Sequence, residues 1–345
     1  MEARNILDMT VRELGLALRE YGYPEYRSKQ VFGWLYKGIG LREMKNLPQE
    51  LKNRLDEDFV TGIPEIIKKQ VSEIDGTTKY LVKYYDGSMV ECVYLIYEYG
   101  RTACISSQVG CRMGCSFCAS TRGGLIRNLS PGEMTGQVLA IQRDAKTRIS
   151  NVVIMGSGEP LDNYQNTLRF IRQLNSRDGL NIGLRSVTLS TCGLVPEIKK
   201  LAEEGLPITL SISLHGASDE TRMRLMPVAG KYKTDEIVEC CKYYIKRTGR
   251  RITFEYALVE GINNRPEDAK KLAALLKGML CNVNLIPVNP VEGTGYKQPG
   301  AGKVKRFKQM LERAGISVTI RREMGRDIDG ACGQLKAGYI EEKNL

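Results

Sequence analysis

The chain has 345 residues, 42% of them apolar and 26% charged, which is enough to bury a sizeable core and excludes a disordered or fibrous protein. Lys and Arg exceed Asp and Glu by 51 − 40 = 11, a basic balance that favours a polyanionic partner, and we expect nucleic acid. Residues 1–5 lack the apolar stretch of a signal peptide, and apolar runs are only a few residues long. We therefore expect a cytoplasmic protein with no membrane contact.

Residues 1–62 are predicted to form a helical domain. Thr10 and Glu13 have the spacing of a capping box before an apolar helical pattern, and a third helix is predicted to begin near Pro48. Between residues 63 and 96 the apolar period changes to two, with Asp75-Gly76 and Asp86-Gly87 as turn signals. This pattern predicts a small antiparallel β extension.

Strand and helix patterns alternate between residues 97 and 325. The predicted strands are Ala103–Ser107, Asn151–Met155, Arg185–Ser190, Ile208–Leu214, Ile252–Leu258 and Asn282–Ile286. In two of these strands apolar residues alternate with hydroxyl side chains, so one face of the sheet is polar and meets a ligand or water. We predict an α/β fold with a partial, open (β/α)6 barrel, and a doubly wound sheet is the alternative. Residues 326–345 form a C-terminal tail.

A loop after the first of these strands carries three closely spaced cysteines, Cys111, Cys115 and Cys118. Three thiolates on a [4Fe-4S] cluster leave one iron open for a small-molecule ligand. A zinc site completed by a distant cysteine such as Cys332 is the alternative. Other cysteines fit strand or helix patterns and are predicted to be small buried hydrophobes: Cys92, Cys192, Cys240, Cys241 and Cys281.

Small and polar residues follow several predicted strands, where a ligand at the mouth of the sheet would contact them. Gly158-Glu159-Pro160 comes after the second strand, and Ser190, Ser213, His215 and Asn289 lie at or just beyond the ends of others. His215 is the only histidine in the chain. We expect it to hydrogen-bond near a cofactor rather than to act as a general base.

The C-terminal region combines a thiol with a basic segment. Cys332 lies in Ala331-Cys332-Gly333, which has few bulky neighbours to bury it, so we expect an accessible, reactive thiol. Residues 301–322 contain a single acidic residue, Glu312, and would attract phosphates near that thiol, although a solvated helix surface is the alternative. The basic residues of this segment are Lys303, Lys305, Arg306, Lys308, Arg313, Arg321 and Arg322.

Taken together, the three-cysteine loop, Gly158-Glu159-Pro160, Ser213-Leu214-His215 and the segment 331–335 resemble the radical S-adenosylmethionine methyltransferases that act on adenine carbon 2 of 23S ribosomal RNA. The resemblance covers nearly the whole chain and implies that residues 1–62 are an RNA-binding accessory domain. It implies one [4Fe-4S] cluster on the loop cysteines. The residues that it implies for S-adenosylmethionine binding are Gly158, Glu159, Ser190, Ser213, Leu214, His215 and Asn289.

The resemblance also implies a mechanism that uses two molecules of S-adenosylmethionine per turnover. One methylates Cys332, and the other, reductively cleaved, gives a radical that activates this S-methyl group for addition to the adenine. Cys104 then releases the RNA through a transient disulfide with Cys332, and Glu91 accepts a proton. From the sequence alone, Cys104 fits a buried strand cysteine equally well, and Glu91 fits a solvated strand carboxylate.

The implied substrates are adenosine 2503 of 23S rRNA and adenosine 37 of tRNAs, and an unpaired or extruded base is required in each. We expect an electron donor such as flavodoxin or ferredoxin and a monomeric enzyme. Methylation of adenine carbon 8 is an alternative, although Pro160 and the segment 284–290 favour carbon 2. Two further alternatives are a radical enzyme acting on a small molecule and a zinc-stabilised RNA-binding protein.

Overall fold

The structure is a computed structural model and describes residues 4–288, 295–328 and 334–343. Its helices are α1 (Val11–Glu20), α2 (Arg27–Leu35), α3 (Gln49–Asp58), α4 (Pro131–Ala145), α5 (Tyr164–Leu174), α6 (Val195–Glu203), α7 (Asp219–Leu225), α8 (Thr234–Thr248), α9 (Pro266–Leu276), α10 (Ala301–Arg313) and α11 (Gln334–Lys343). Its strands are β1 (Arg4–Asn5), β2 (Phe59–Val60), β3 (Glu65–Val71), β4 (Thr78–Lys83), β5 (Met89–Tyr97), β6 (Gly100–Ile105), β7 (Gln108–Gly110), β8 (Leu125–Asn128), β9 (Asn151–Ile154), β10 (Val187–Thr191), β11 (Thr209–Ser213), β12 (Ile252–Leu258), β13 (Cys281–Pro287) and β14 (Ser317–Ile320).

Most of the strands belong to one ten-stranded sheet with the order β14-β13-β12-β11-β10-β9-β6-β5-β4-β3. From β6 to β14 neighbouring strands are parallel and follow chain order, so every crossover advances in one direction. A doubly wound sheet reverses its strand order and is therefore excluded. The six predicted strands are confirmed as β6 and β9 to β13, and β14 adds a further parallel strand at the edge.

The predicted antiparallel extension is not an independent sheet. Its strands β3, β4 and β5 continue the parallel sheet, because β5 pairs with β6 in antiparallel register, with Val93 opposite Cys104. Two-residue alternation and turn signals predict the hairpins, but they do not show which sheet the hairpins join. This continuity places β4 and β5 on the wall of the same cavity as the barrel strands.

The open side of the sheet is crossed by residues 321–328, which we call the C-terminal strap. The strap leaves β14 at one edge of the sheet and is bonded to the β3–β4 turn at the other edge. Asp327 accepts hydrogen bonds from Ser72 Oγ (2.6 Å) and the amide of Glu73 (2.7 Å), and the amide of Gly325 donates to Asp75 (3.0 Å). The strap therefore joins the two ends of a sheet that is otherwise open.

The N-terminal helices pack against α4 and α5. The capping box predicted at Thr10 is present, and Ser130 forms another at the start of α4. Asp8 accepts a further bond from the amide of Gly132 (2.6 Å) in the first turn of α4. Gly136 lies so close to the chain entering β3 that a Cβ there would be 2.2 Å from the carbonyl oxygen of Gly62. This close approach fixes the N-terminal region on the barrel.

The core lies between the sheet and the helices that cover its outer face. Alternate strand residues such as Leu210, Ile212, Val283 and Leu285 are fully buried there. The five cysteines predicted to be buried, Cys92, Cys192, Cys240, Cys241 and Cys281, are all buried. In the described part of the chain, no helix has the length and apolar character needed to cross a membrane.

Candidate active site

The inner face of the sheet encloses a cavity of about 600 Å³, which is in the range of small-molecule sites. The three loop cysteines line it together with Cys104 and Glu159. Because the loop follows the carboxyl end of β6, the cysteines lie at the end of the cavity formed by the carboxyl ends of the parallel strands. The topology thus brings the predicted cluster ligands and the predicted cofactor residues to one place.

The cysteine loop is held by the backbone on both sides. The amide of Cys111 donates to the carbonyl of Gly124 (2.9 Å), and the amide of Ser116 donates to the carbonyl of Leu225 at the end of α7 (2.9 Å). Burial, together with the charges of Cys118 and Glu159, raises the pKa of Cys111 to about 11 against the opposing effect of a backbone hydrogen bond. The site therefore favours thiolates only when a metal compensates their charge.

These thiols suit a cluster better than a single ion. Among the described residues no group of three or more His, Cys, Asp or Glu side chains is placed to hold one metal ion. A tetrahedral zinc ion would require its thiolates to converge on one point, whereas the corners of a [4Fe-4S] cluster hold them further apart. The three loop cysteines, facing one cavity, fit such a cluster.

Glu159 connects two neighbouring strands at the carboxyl end of the sheet. Its carboxylate accepts hydrogen bonds from the amides of Leu161 (2.9 Å) and Cys192 (2.7 Å), while its own amide donates to Gln108 (2.8 Å). Burial raises the pKa of Glu159, and the two amide donors oppose the rise. Gly158 before it has a φ of +104°, and a Cβ there would lie 2.6 Å from the Cβ of Gln108. Both residues line the cavity.

The residues after β10 and β11 divide between the cavity and the core. Ser190, Ser213 and His215 line the cavity, with the two serine hydroxyls 3.5 Å apart. The side chain of Leu214 points the other way and is fully buried in the core, so only its backbone is available to a cofactor. Asn289 lies outside the described residues.

His215 is buried and neutral. Burial, with a smaller contribution from the charge of Arg222, lowers its pKa to about 3. Its Nδ1 accepts a hydrogen bond from the amide of Ala257 (2.9 Å), and the ring of Phe117 meets it edge to face at 5.0 Å. The proton of the neutral ring is therefore on Nε2, which makes His215 a donor and a poor base.

The alternative interpretation of Glu91 as a solvated strand carboxylate is wrong, because its side chain is buried. It is 4% exposed and forms an ion pair with the equally buried Lys79 at 3.1 Å. Its second oxygen accepts a hydrogen bond from the amide of Lys336 (2.8 Å) in the first turn of α11. Lys79 lines the cavity beside Cys104, whose side chain is both buried in β6 and open to the cavity.

Cys332 lies outside the described residues, but the chain on both sides of it is placed. Before it, Ile328 lines the cavity. After it, α11 is capped by Glu91 through Lys336, and Leu335 is buried. The chain before the predicted methyl-accepting cysteine therefore lies at the cavity, and the chain after it is bonded to Glu91, whose ion-pair partner Lys79 lines the cavity.

The basic side chains of the segment 301–322 are mostly exposed, and some of them form ion pairs. Lys303 pairs with Glu260, and Lys308 pairs with Glu312 (3.5 Å). Arg321 and Arg322 instead line the cavity at the start of the strap. Only part of the positive charge therefore faces the site.

Two residues of the site were missed by the sequence analysis. Glu255 on β12 lines the cavity and accepts a hydrogen bond from Asn284 (2.8 Å); burial raises its pKa, which the bond from Asn284 and the charge of Arg321 oppose. An acidic residue in mid-strand on the polar face was the available signal. Arg222 on α7 is fully buried behind the cysteine loop, and no pattern of the sequence distinguishes it from a surface arginine.

Comparison with known proteins agrees with this geometry. Residues 105–273 match the family model of the radical SAM superfamily. A crystal structure of a radical SAM methyltransferase from Sphaerobacter thermophilus superposes with a TM-score of 0.92 at 40% identity, covering 96% of this chain and 98% of that one. The fold is thus that of a radical S-adenosylmethionine enzyme.

Matches that include the N-terminal region identify the family within this superfamily. Residues 4–60 match the model described as the ribosomal RNA large subunit methyltransferase N-terminal domain. Two curated relatives, each named a probable dual-specificity RNA methyltransferase RlmN, are 53% identical over 339 residues in Clostridium acetobutylicum and 51% identical over 341 residues in Clostridium tetani. The matches cover 98% and 99% of this chain and 98% of each relative. The chain belongs to the RlmN family of radical SAM RNA methyltransferases.

Proposed function

We propose that the chain methylates carbon 2 of adenosine 2503 in 23S rRNA and of adenosine 37 in tRNAs. This carbon is not nucleophilic and cannot take a methyl group from a sulfonium by displacement, so the reaction requires a radical route. A cluster on Cys111, Cys115 and Cys118, when bound, supplies the electron that cleaves S-adenosylmethionine. Two molecules of S-adenosylmethionine are consumed per turnover, one as methyl donor and one as radical source.

In this proposal the protein's own thiols carry the methyl group and release the product. Cys332 accepts the methyl group on its sulfur, and S-adenosylhomocysteine leaves. The radical derived from the second S-adenosylmethionine removes a hydrogen atom from this S-methyl group, and the resulting carbon radical adds to the adenine. Loss of the ring proton and cleavage of the sulfur–carbon bond then release the RNA, while Cys104 forms a transient disulfide with Cys332, one electron returns to the electron carrier, and a proton completes the new methyl group. Glu91 accepts the ring proton, and its ion-pair partner Lys79 lies at the cavity wall.

Around the cofactor, Glu159 and the backbone of Gly158 accept the methionine ammonium, while Ser190, Ser213 and the Nε2–H of His215 hydrogen-bond the remaining polar groups. Asn289 and the backbone of Leu214 complete the set. The side chains of Glu159 and His215 are fixed by backbone amides, so they are oriented before the cofactor arrives.

The observation that carries the proposal is the placement of two chemistries in one cavity. The three loop cysteines share it with Cys104 and with Ile328, which lies four residues before Cys332. A cluster site alone would suit many radical enzymes. A further thiol in the cavity, with the chain that leads to Cys332 at its wall, supports methyl transfer through a cysteine.

The basic surface supports an RNA substrate, which reaches the cavity only as an unpaired or extruded base. We propose that the N-terminal helices form an accessory RNA-binding unit, and that flavodoxin or ferredoxin delivers electrons. The full names of the two Clostridium relatives include dual specificity for RNA, which supports two RNA substrates.

The test is mass spectrometry of nucleosides from a model rRNA hairpin and a tRNA after anaerobic incubation with S-adenosylmethionine and a reductant. We expect 2-methyladenosine from both RNAs, none with Cys332→Ala, and a stalled protein–RNA adduct with Cys104→Ala. A product that is solely 8-methyladenosine would show that the position is wrong. No methylated nucleoside from protein with a full cluster would show that the function is wrong.

A further inference from the structure

Two tyrosines form an exposed stack at the tip of the β5–β6 hairpin. Tyr97 ends β5, and Tyr99 lies in the turn that leads to Gly100 at the start of β6. Their ring centroids are 4.9 Å apart and the planes are inclined by only 6°. Tyr99 is 75% exposed, so the outer face of its ring is open to solvent. A flat, rigid aromatic surface of this kind suits a planar ligand.

Two arginines share the cavity wall with the stack. Tyr97, Arg321 and Arg322 line the same cavity, and both arginines are exposed, whereas Glu98 between the tyrosines and Glu323 after the arginines are the acidic residues near them. Burial raises the pKa of Tyr97, the adjacent Tyr99 adds to the rise, and the charges of Arg321 and Arg322 oppose it. Neither arginine forms an ion pair with another residue in the described ranges.

We propose that Tyr97 and Tyr99 form a stacking platform for an unpaired RNA base next to the target adenosine, with Arg321 and Arg322 contacting the adjoining phosphates. This inference rests on the proposed function, because it assumes an RNA whose adenosine enters the cavity. Extruding that adenosine removes the stacking partner of its neighbour. An aromatic ring at the cavity wall replaces the lost partner without selecting one base, and the arginines add backbone contacts.

The platform is tested with an RNA hairpin that carries 2-aminopurine next to the target adenosine, with affinity and fluorescence read in the absence of S-adenosylmethionine. We expect Tyr99→Leu to raise Kd about tenfold and to relieve the quenching of 2-aminopurine, because base–aromatic stacking contributes at this level. Tyr99→Phe keeps the ring and should behave like the unsubstituted protein. Arg322→Gln should reduce the salt dependence of binding by about one phosphate contact.

Tyr85→Leu is the matched control, since Tyr85 is 68% exposed and lies in the turn at the opposite end of β5. Equal effects of Tyr85→Leu and Tyr99→Leu, or unchanged quenching in Tyr99→Leu, would overturn the platform. Nucleoside analysis separates this failure from that of the proposed function. If the RNA binds and its 2-aminopurine is quenched but no adenosine is methylated, only the proposed function is contradicted. If methylation is normal and Tyr99→Leu changes neither Kd nor the quenching, only the platform is contradicted.

An independent observation concerns Arg222, which is fully buried in α7. Its guanidinium donates to the backbone carbonyls of Tyr232 (3.0 Å) and Cys192 (2.5 Å), and its Nε has no hydrogen-bond partner among the described residues. No carboxylate that the structure places is within ion-pair distance of it, although the charge of Asp219 in the same helix acts on it and opposes the lowering of its pKa by burial. A buried cation without a contacting counter-ion is costly unless a further anion compensates it.

The cysteine loop lies beside this cation. Cys192, whose carbonyl Arg222 contacts, packs in one apolar cluster with Cys115, and Ser116 is bonded to the last residue of α7. These contacts place the guanidinium of Arg222 one residue away from a predicted cluster ligand, Cys115.

We infer that Arg222 is the counter-ion of the iron–sulfur cluster. A cubane cluster with three thiolates is anionic and gains one further negative charge on reduction, while Arg222 stays protonated. A neighbouring cation therefore stabilises the reduced form more than the oxidised form. The residue sets the potential at which the cluster can be reduced, and it does so without touching the substrate.

The potential of the reconstituted protein, followed by electron paramagnetic resonance, tests this role. We expect Arg222→Gln to lower the midpoint potential and Arg222→Lys to lower it less, because lysine keeps the charge. Arg224→Gln removes the same charge from an exposed position in the same helix and should leave the potential unchanged. Asp219→Asn removes a nearby negative charge and should raise it, which tests the inference even if Arg222→Gln does not fold. Equal potentials for Arg222→Gln and Arg224→Gln, or no rise in Asp219→Asn, would overturn it.

Discussion

The cavity has two walls that stabilise polar groups in different ways. On the parallel wall, formed by the carboxyl ends of β9 to β12, Glu159 is held by two backbone amides and His215 is neutral. On the antiparallel wall, formed by β4, β5 and the C-terminal strap, Glu91 is held by an ammonium group and by an amide 245 residues away in sequence. The first wall is organised by neighbouring strand ends, whereas the second is organised by charge and by the C-terminal region.

This difference implies a division of labour. Amide donors at strand ends are fixed by the sheet itself, so the parallel wall is preorganised for a cofactor. The antiparallel wall depends on contacts that the strap and α11 bring from the end of the chain. It therefore couples the shape of the site to the placement of the segment that carries Cys332.

The largest effect is expected at the cluster end of the parallel wall. Cys115→Ala should lose iron, sulfide and all methyl transfer, because three thiolates are the minimum for an open-iron cluster. The free energy of unfolding of the metal-free protein should change by at most about 1 kcal/mol, since the loop lies outside the main core. Iron analysis, visible absorption and urea denaturation measure these quantities.

Cys240→Ala is the control for this substitution, because Cys240 is buried in α8 and is not a cavity residue. It should keep a full cluster and full methyl transfer. Iron and sulfide retained by Cys115→Ala would contradict the assignment of the cluster ligands.

The next effect is expected at the ion pair of the antiparallel wall. Lys79→Met should lower the free energy of unfolding by about 3–5 kcal/mol, because it leaves the carboxylate of Glu91 buried without its cation. The double variant Lys79→Met with Glu91→Leu should recover much of that loss, since replacing a whole buried pair by apolar groups is often nearly neutral. Urea denaturation of both single variants and the double variant completes a double-mutant cycle for the pair.

Lys200→Met is the matched control, because Lys200 forms an exposed pair with Glu197 at 2.9 Å. Lys200→Met should lower the free energy of unfolding by about 0.5 kcal/mol or less. An equally small decrease in Lys79→Met would mean that the antiparallel wall does not depend on its buried charge.

The two walls also differ in what the sequence could predict. Strands such as Asn151–Ile154 and Ile252–Leu258 were predicted within a residue of their bounds, and the cysteine loop and Glu159 follow from spacing and strand ends, which are local signals. The partners of Glu91 were not predicted. Lys79 lies on a neighbouring strand and Lys336 at the far end of the chain, and no local pattern specifies such pairing.

Arg222 shows the same limit within a helix. Its helix was predictable only as part of an alternating βα pattern, and its burial results from the packing of α7 against the strand ends and the cysteine loop. Asn289 and Cys332 lie outside the described residues, so their predicted roles remain predictions.

A smaller effect is expected at the bond between the strap and the β3–β4 turn. Burial alone would raise the pKa of Asp75, but hydrogen bonds from the amide of Gly325 and from the hydroxyl and amide of Thr77 hold it below its ordinary value of 3.8. The hydroxyl of Ser72 likewise holds the pKa of Asp327 below that value. A carboxylate with a lowered pKa stabilises the folded contact above that ordinary value, and the contribution is lost as pH falls through the lowered pKa.

Hydrogen exchange of residues 321–328, corrected for its intrinsic pH dependence, should therefore increase between about pH 5 and pH 3. Strands β10 and β11 on the parallel wall should keep their protection over this range. In Asp327→Asn the exchange of the strap should already be faster at pH 7 and should depend less on pH. Equal protection of the strap at pH 5 and pH 3 would show that its carboxylates do not hold it.

The smallest effect, and the sharpest test of the parallel wall, is expected at His215. Its pKa is lowered to about 3 by burial, so the imidazole stays neutral throughout the range in which an ordinary histidine takes up a proton. A folded pKa below the unfolded value means that protonation favours unfolding, and this loss of stability begins only as pH falls below the ordinary histidine pKa of about 6.5.

Because His215 is the only histidine, protein labelled with ¹³C at histidine gives a single ring resonance without further assignment. We expect that resonance to keep its chemical shift between about pH 5.5 and pH 8 and to report a proton on Nε2 throughout. A titration midpoint near pH 6.5 would mean that the ring is hydrated and charged, and the parallel wall would then depend on charge as the antiparallel wall does.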